Sequence, residues 1–401
     1  MAIHISYPTT PQFRQVVDDV NKYASLSPDN HDKQLPTLNF IGTVKLHGSN
    51  VAIGYQIESG YWYQSRNRLI TPYDDYADFA QHMNSLAGQF FTAHVLPYCP
   101  TIREHYMGGD KVVIYGEWCG GNIQKHVAIS GLPLMFVIFK VKIVNQSETT
   151  AHTADADNQE QEQKPVRTYW LDPKEWTNIK WHEYSIYNIL DFPTYTIDID
   201  FNNAELSQDI LTKIAEQVEQ QCPVGTYFNR LGIGEGVVWT EWVQTRGNLT
   251  FKVKGRQHLV TQAKGLVSVK ATRFADVGEF IEYACTENRM YQGLDYMREQ
   301  NVSIEMNTMN IFLKWLREDI CKEEKDTMNV SNISATKINE AIRKKAETCW
   351  AGFFSRKENE ACIPIVDDCK SGLKCRLSAS CTIFSGAKKV MCCRPPRIFK
   401  K

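Results

Sequence analysis

The first part of the chain contains short apolar runs that predict strands, and the later part has apolar residues at helical spacing. Seven segments before residue 255 are rich in β-branched or aromatic residues and are bounded by turn-forming residues, which is typical of strands. These segments are Leu38 to Val44, Val51 to Ile57, Tyr61 to Gln64, Lys111 to Gly121, Leu134 to Val144, Gly232 to Trp239 and Leu249 to Lys254.

Helical periodicity appears between these strands and dominates after them. Apolar residues such as Phe312, Leu316 and Ile320 fall on one helical face within the segment from Leu266 to Phe354. The pattern therefore predicts an α+β fold whose strand-rich first part is followed by a helical part. The helices predicted within the first part are Pro11 to Tyr23, Asp74 to Leu86 and Glu205 to Gln221.

The segment Thr43-Val44-Lys45-Leu46-His47-Gly48-Ser49-Asn50 joins the first two predicted strands. Gly and Asn tolerate positive φ, so we expect a tight, hairpin-like reversal that holds Lys45 at a strand end, facing a cleft. A lysine in such a place can act as a nucleophile when neighbouring cations lower its pKa. The alternative is a surface lysine beside a turn, and the segment alone favours that alternative.

Two further charged residues follow predicted strands. Arg66 lies in a polar turn after the aromatic strand, and Glu117 lies between glycines near the end of the strand that begins at Lys111. Glycines let the backbone approach a ligand closely, and a glutamate there can accept hydrogen bonds from ribose hydroxyls. The alternative is that Glu117 is a solvent-exposed loop residue. The sequence around Glu117 alone does not distinguish this alternative from a ribose-binding role.

The last two predicted strands also carry charged residues. Glu235 lies among glycines before the Val-Val-Trp run, and strand alternation places Lys252 and Lys254 on one face with Phe251 and Val253 on the other. The glycine-rich stretch is not a dinucleotide fingerprint because no helical pattern follows it, and the sequence has no GxxxxGK[ST] loop. Nucleotide binding would therefore need another arrangement.

Composition narrows the partners and the compartment. The formal net charge is -1, from 45 basic and 46 acidic residues, so any contact with nucleic acid must come from local basic surfaces. No apolar run approaches the roughly 18 residues of a membrane span, and the first residues lack the features of a signal peptide. We expect a protein of the cytoplasm or another reducing intracellular compartment, with no membrane partner.

Changes in composition divide the chain into three predicted parts. The segment 147–164 carries five acidic residues and one lysine, without a large apolar side chain, which predicts a solvated acidic loop. This loop lies within a first domain, 1–265. A helical C-terminal domain is predicted for 266–358, and a Cys-rich basic tail for 359–401.

Five motifs, taken in chain order, resemble the nucleotidyl motifs of the covalent nucleotidyltransferases, which include polynucleotide ligases and mRNA capping enzymes. They are KLHGSN at Lys45, Ser65-Arg66, YGEW at Glu117, EGVVW at Glu235, and FKVK at Lys252 and Lys254. The histidine at position 47 and the whole KLHGSN segment are similar to the RNA ligase family, in particular its RNA ligase 2-like branch. DNA ligases and capping enzymes usually carry an aspartate at that position. The resemblance covers about Phe40 to Lys254.

The resemblance implies an ATP-grasp-like nucleotidyltransferase domain with mixed antiparallel sheets and flanking helices. It implies that Lys45 attacks the α-phosphorus of ATP and becomes a lysyl-AMP. His47 and Asn50 would shape the phosphate and metal environment. Arg66 would reach the ribose or the AMP phosphate, and Glu117 would bind the ribose hydroxyls.

The same resemblance assigns the remaining roles. Phe139 would stack on adenine; Phe136 is the rival, and strand alternation points the two side chains to opposite faces. Glu235 would hold a divalent cation, directly or through water, and Lys252 and Lys254 would clamp the α-phosphate. A hard cation with oxygen ligands indicates Mg²⁺, with Mn²⁺ as a substitute.

The implied activity is ATP-dependent ligation of RNA with 5′-phosphate and 3′-hydroxyl ends, on a nicked duplex, by a monomer whose helical domain helps to engage the substrate. Two other enzymes remain as alternatives, a DNA ligase and a capping-type guanylyltransferase. A non-catalytic RNA-binding protein on the same fold is a third. The presence of all five residues Lys45, Glu117, Glu235, Lys252 and Lys254 argues against it.

The cysteines are spread unevenly. Five of the twelve (Cys99, Cys119, Cys222, Cys285 and Cys321) are expected to be free thiols, and seven fall between residues 349 and 393. The tail from 362 to 401 carries nine Lys or Arg and two Asp, a net charge of +7. A disulfide knot, a zinc site and a flexible basic tail are the alternatives; the sequence favours the last, which would add salt-sensitive RNA affinity.

Overall fold

The computed structural model describes residues 2–26, 34–75, 77–121, 123, 127–145, 168–263 and 265–347. The predicted acidic loop at 147–164, the end of the predicted helical domain at 348–358 and the tail at 359–401 lie outside these residues. The described part has the expected α+β fold, with largely antiparallel sheets and helices. The domain boundaries stay a prediction.

Eleven strands in the described residues form two sheets. Sheet A has the order β11-β10-β1-β9, and sheet B has the order β4-β3-β2-β5-β6-β7, with the short β8 running parallel to β6. The strands are β1 (Thr37–Lys45), β2 (Ser49–Gln56), β3 (Gly60–Ser65), β4 (Leu69–Ile70), β5 (Lys111–Cys119), β6 (Met135–Val144), β7 (Thr168–Trp170), β8 (Ile186–Asn188), β9 (Thr194–Asp200), β10 (Gly236–Glu241) and β11 (Leu249–Lys254).

Sheet B is buried on both faces, which explains its nearly continuous apolar sequence. In β5, Val112 and Ile114 point into the larger core, whereas Val113 and Tyr115 point into a smaller aromatic core on the opposite face. Because strand side chains alternate, a strand that is covered on both faces needs apolar residues at every position. Residues 112–115 of β5 follow that rule.

Sheet A contributes only one face to the larger core. Phe40, Trp239 and Phe251 from three adjacent strands are fully buried there. The alternation predicted for β11 is confirmed, since Phe251 and Val253 are buried in this core and Lys252 and Lys254 lie on the other face. Sheet A therefore presents a row of polar side chains on one side.

Helices cover the sheets and form a separate cluster after β11. The helices are α1 (Phe13–Leu26), α2 (Phe79–Met83), α3 (Ala87–Gln89), α4 (Pro100–Met107), α5 (Pro173–Trp176), α6 (Gln208–Gln220), α7 (Pro223–Tyr227), α8 (Val277–Ala284), α9 (Glu287–Glu299), α10 (Met309–Glu323) and α11 (Lys325–Val330). Residues 338–347 are also helical. The helices from α8 onward pack around a second core that includes Phe280, Leu294 and Leu316.

The helix predicted from Asp74 to Leu86 is shorter than expected. Thr71 and Asp74 close a backbone turn, and the carboxylate of Asp75 accepts hydrogen bonds from the backbone of Ala77 and Ala80. These contacts hold the chain in a turn, so α2 begins only at Phe79. Side-chain capping of this kind competes with helix over the same residues.

Two further expectations can be compared with the described residues. Cys99, Cys119, Cys222 and Cys321 carry free thiols, as predicted. None of the helices in the described part is long and apolar enough to cross a membrane.

Candidate active site

The KLHGSN segment does not form the expected hairpin. β1 ends at Lys45 in sheet A and β2 begins at Ser49 in sheet B, so residues 46–48 carry the chain from one sheet to the other. Neither Gly48 nor Asn50 has a positive φ. Glycine is needed at 48 for space, because a Cβ there would lie 2.4 Å from the carbonyl oxygen of Trp118. The crossing places Lys45 where the two sheets meet.

The carboxylate of Glu235 contacts three of the predicted site residues. One oxygen, Oε2, lies 2.8 Å from Nζ of Lys45 and 3.1 Å from Nδ1 of His47. The other, Oε1, lies 2.9 Å from Nζ of Lys254. The strand register explains this meeting, because Gly236 pairs with both Lys45 and Lys254 across the sheet. We call Lys45, His47, Glu235 and Lys254 the Glu235 cluster.

The cluster keeps Glu235 ionised although its side chain is only 2% exposed. Burial by itself raises the pKa of a carboxyl group, because a charge loses hydration. Lys254, Lys45 and His47 together outweigh that effect and hold the pKa of Glu235 well below its usual range. An ionised carboxylate only accepts hydrogen bonds, so Nδ1 of His47 is the donor in its bond to Glu235.

Glu117 and Asn50 are residues of sheet B, and Arg66 directly follows β3 of the same sheet. Asn50 pairs with Glu117 across β2 and β5, and Arg66 lies exposed in the turn between β3 and β4. Burial raises the pKa of Glu117 to about 7, while Lys45 and Arg66 lower it and Glu235 raises it further. The strand continues past Glu117 to Cys119, so Glu117 is a strand residue rather than a loop residue.

The two candidate phenylalanines have different surroundings. Phe136 is fully buried and packs against Phe79, with ring centroids 5.0 Å apart. Phe139 is partly exposed and is the extra residue of a β-bulge, since Tyr115 pairs with Lys140 and the next residue of β5 pairs with residue 138. Bulges redirect side chains and are frequent beside active sites. Phe139 is therefore the less buried of the two rings.

Lys252 does not join the Glu235 cluster. Its Nζ lies 2.6 Å from Oε1 of Glu323, at the end of α10. Burial lowers the pKa of Lys252 although Glu323 raises it, and Lys254 and Lys45 lower it as well. For Glu323, Lys252 and Arg289 overcome burial and lower the pKa to about 2. Glu323 is therefore ionised at neutral pH and accepts a hydrogen bond from Nζ of Lys252.

A profile of the RNA ligase family matches residues 38–254, which is more than half of the chain and includes the whole Glu235 cluster. The chain belongs to the RNA ligase family. This confirms the resemblance noted in the sequence. The profile spans all five motifs, from the one at Lys45 to the one at Lys252 and Lys254.

Solved RNA ligases from Naegleria gruberi are similar to this family member over part of their length. The structure of the ligase with pyrophosphate has 14% identity and a TM-score of 0.36, over 64% of this chain and 57% of its own. A lysine-to-alanine mutant with ATP and manganese has 14% identity and a TM-score of 0.34, over 63% and 57%. A lysine-to-methionine mutant with AMP and manganese has 15% identity and a TM-score of 0.34, over 63% and 56%.

The matched part thus spans less than two thirds of those ligases. No protein of curated function matches the chain significantly.

The chain after β11 contacts α1 and sheet A of this RNA ligase family member, and also the turn between β3 and β4. On the sheet A side, Arg14 of α1 binds Glu324 at 2.8 Å and Asp326 at 2.6 Å, next to the Lys252–Glu323 pair. On the sheet B side, Nδ2 of Asn67 lies 3.3 Å from Oε2 of Glu299. Glu299 and Asp319 are also close enough to Arg66 for its charge to lower their pKa values, although burial raises both overall. Acidic side chains of the helices therefore face cations of the site.

The described residues contain no group of three or more His, Cys, Asp or Glu side chains arranged to hold a metal ion. Both oxygens of Glu235 are already in contact with cationic groups. Glu235 and Glu117 supply the hard oxygen donors that Mg²⁺ or Mn²⁺ prefers, so they fit a metal that also binds the phosphates of a nucleotide. They do not form a complete metal site by themselves.

Three residues at the candidate site were not predicted from the sequence. Tyr7 lies in the N-terminal segment and packs edge-on against Phe139, with ring centroids 5.2 Å apart. His258 packs against His47, and Glu323 binds Lys252. None of the three stands in a motif or a predicted strand, so only the fold brings them to the site.

Proposed function

We propose that this RNA ligase family member is an ATP-dependent RNA ligase that works through a lysyl-AMP intermediate on Lys45. The observation that supports this most directly is the Glu235 cluster. A lysine amine, a histidine and a second lysine converge on one buried carboxylate, inside the region that matches the family profile. A surface lysine beside a turn would not be held in this way.

The proposed chemistry has three transfers. Nζ of Lys45 first loses its ammonium proton to water. The free amine then attacks the α-phosphorus of ATP, a P–N bond forms, pyrophosphate leaves and the nitrogen loses a second proton. A 5′-phosphate oxygen of RNA then attacks the same phosphorus, which frees Lys45 and gives RNA-adenylate. Finally the 3′-hydroxyl attacks the 5′-phosphorus and AMP leaves. Each step depends mainly on positioning and on neutralising phosphate charge.

The placement of the other residues is compatible with these steps. Glu117, with a pKa of about 7, can accept a hydrogen bond from a ribose hydroxyl in its ionised form. Lys254 and, once released from Glu323, Lys252 can contact phosphate oxygens. The partial exposure of Phe139 supports its choice over the buried Phe136 for stacking on adenine.

A divalent cation would supply charge neutralisation at the phosphates when ATP is bound. Glu235 is the carboxylate best placed to contact it, because adenylylation of Lys45 removes the ammonium group that lies on Oε2. Asn50 and Glu117 stand on the opposite sheet and would complete the polar surroundings. Magnesium and manganese are both suited to such oxygen donors.

The decisive experiment is to incubate the protein separately with radiolabelled ATP and GTP, and to find any attached nucleotide by mass spectrometry. We expect AMP on Lys45 and no GMP. Lys45→Ala and Lys45→Arg should lose the label, the second because a guanidinium stays protonated and cannot attack. Lys111→Ala, at the first residue of β5, is the matched control and should keep it.

The alternatives predict different results. Labelling by GTP would favour a capping-type guanylyltransferase, and AMP that persists in Lys45→Ala would exclude Lys45 as the nucleophile. Binding of RNA without labelling by either nucleotide would favour a non-catalytic protein. Sealing of nicked duplexes with RNA or DNA strands in turn would then separate an RNA ligase from a DNA ligase.

A further inference from the structure

We infer that His258 is a positioning residue that fixes the imidazole of His47 against Glu235. The inference rests on the proposed adenylylation of Lys45. The rings of His47 and His258 meet edge to face, with centroids 5.4 Å apart and planes 72° apart. The side chain of His258 is 11% exposed. His258 lies beyond the residues that match the family profile, so the match gives it no role.

The chain between Lys254 and His258 is held tightly on two sides. The backbone N–H of Gly255 donates to the carbonyl oxygen of Glu235 at 2.9 Å, and the N–H of Gln257 donates to Oε1 of Glu219 at 2.8 Å. A Cβ at position 255 would lie 2.2 Å from the same Glu219 oxygen, so only glycine fits. This short turn leads directly from β11 to His258.

The hydrogen bonds of His258 do not explain its position. Its Nδ1 is buried and has no hydrogen-bond partner among the residues that the structure describes. Oε1 of Glu219 lies 3.6 Å away, which is too far for a hydrogen bond. A buried polar atom left unpaired costs about 1–3 kcal/mol. An apolar side chain would avoid that cost, so we look for the benefit in the contact with His47.

The charge state of His258 suits packing against another imidazole. Burial lowers its pKa more than Glu235 raises it, and His47 and Lys254 lower it further. The ring is therefore uncharged at neutral pH. It can pack on His47 without adding a cation beside Lys45 and Lys254.

The geometry connects His258 to the nucleophile in two steps. His258 limits rotation of the His47 ring, and that ring donates its Nδ1–H to Oε2 of Glu235. The same oxygen lies 2.8 Å from Nζ of Lys45. If His47 turned away, Oε2 would lose this hydrogen-bond donor, and Lys45 would be its remaining partner and would be held more closely to it. His258 thus affects Lys45 without touching ATP.

The test measures single-turnover formation of lysyl-AMP over a range of ATP concentrations. We expect His258→Ala to lower the rate constant at saturating ATP by roughly tenfold to a hundredfold, because misplacing a catalytic group has effects of that size. The ATP concentration that gives the half-maximal rate should change little. His258→Phe keeps an aromatic ring and should restore most of the rate. Arg256→Ala, an exposed neighbour that pairs with Glu216, is the matched control.

A second variant and a second readout keep the test decisive. If His258→Ala is insoluble, His258→Asn replaces it and should be slow, whereas His258→Phe should be fast; the reverse order would overturn the inference. Nitrogen-15 NMR of the His47 ring should show the Nδ1-protonated tautomer in the wild type and in His258→Phe, and a loss of it in His258→Ala or His258→Asn. An unchanged His47 spectrum in the slow variant would also overturn it.

The NMR readout separates this inference from the proposed function. A wild-type protein that forms no lysyl-AMP but shows the expected His47 changes would refute the ligase chemistry and leave the positioning role intact. Equal rates of lysyl-AMP formation in the wild type and in His258→Ala would support the ligase chemistry and refute the positioning role.

Discussion

The substitution Glu117→Gln should make the protein more stable at alkaline pH while weakening its proposed activity. Burial raises the pKa of Glu117 from 4.5 to about 7 in the folded protein. A proton is therefore bound more tightly in the folded than in the unfolded state. The free energy of unfolding falls as the pH rises from about 4.5 to about 7 and stays low above that range.

The magnitude follows from the difference between the two pKa values. About 2.5 pH units at roughly 1.36 kcal/mol each give about 3 kcal/mol. This is an upper limit, because water reaches the partly buried side chain and screens its charge. Glutamine has no proton to lose, so the variant should exceed the wild type by about 2–3 kcal/mol near pH 8, and the difference should shrink toward zero below about pH 4.5.

Urea unfolding of both proteins at several pH values between about 5 and 8 measures this difference. Glu183→Gln removes an exposed glutamate from the same chain and serves as the control for a general change in net charge. Lysyl-AMP formation should be slower in Glu117→Gln, because a neutral amide replaces the carboxylate proposed to bind the ribose. A variant that is less stable near pH 8, or a difference that does not depend on pH, would refute the reasoning.

Two other predictions follow. Glu323→Gln removes the charged partner of Lys252 and should lower the ATP concentration needed for half-maximal adenylylation by roughly tenfold or more, since a charge-assisted hydrogen bond is worth about 1.5–3 kcal/mol. The single-turnover rate, measured over a range of ATP concentrations, gives this value. An unchanged value would contradict Lys252 as a phosphate ligand. Removal of residues 362–401, which carry a net charge of +7, should leave lysyl-AMP formation unchanged and weaken RNA binding most at low salt. Binding curves at several salt concentrations would test this, and a truncated protein without lysyl-AMP would show that the tail has a structural role.

Sequence periodicity predicted the strands that carry the site to within a few residues. The run from Leu38 to Val44 is the centre of β1, and the run from Leu134 to Val144 is β6 with one extra residue. Local patterns suffice there because each strand has a constant environment on each face. The same periodicity correctly placed Lys252 and Lys254 on the face of β11 opposite to Phe251.

The pairing of strands could not be predicted in the same way. Turn residues after Lys45 suggested a hairpin, but β1 and β2 lie in different sheets. The choice between a hairpin and a crossing depends on distant partners, since β1 pairs with β9 and β10. Lys140 is a similar case: it lies in an apolar strand, and its ammonium is buried over the ring of Trp170 and donates to the carbonyl oxygen of Gly247. No local pattern identifies such partners.

The contact between Lys252 and Glu323 shows a further limit. The motif that contains Lys252 predicted a phosphate ligand, and the sequence gives no reason to link it to an acidic residue 71 positions later. Opposite charges at long separation are common in any chain, so they carry no information until the fold brings them together.

The ion pairs of Arg14 have a consequence for the synthesis of the protein. Arg14 is buried, and its carboxylate partners lie at positions 324 and 326, more than 300 residues later. During translation, α1 emerges long before these partners, and a buried unpaired charge is unfavourable. We therefore expect Arg14 to become buried only after α11 has left the ribosome, whereas Phe13 on the apolar face of α1 can already pack against Phe251 of sheet A. A chain that stops after β11 would leave this arginine in water.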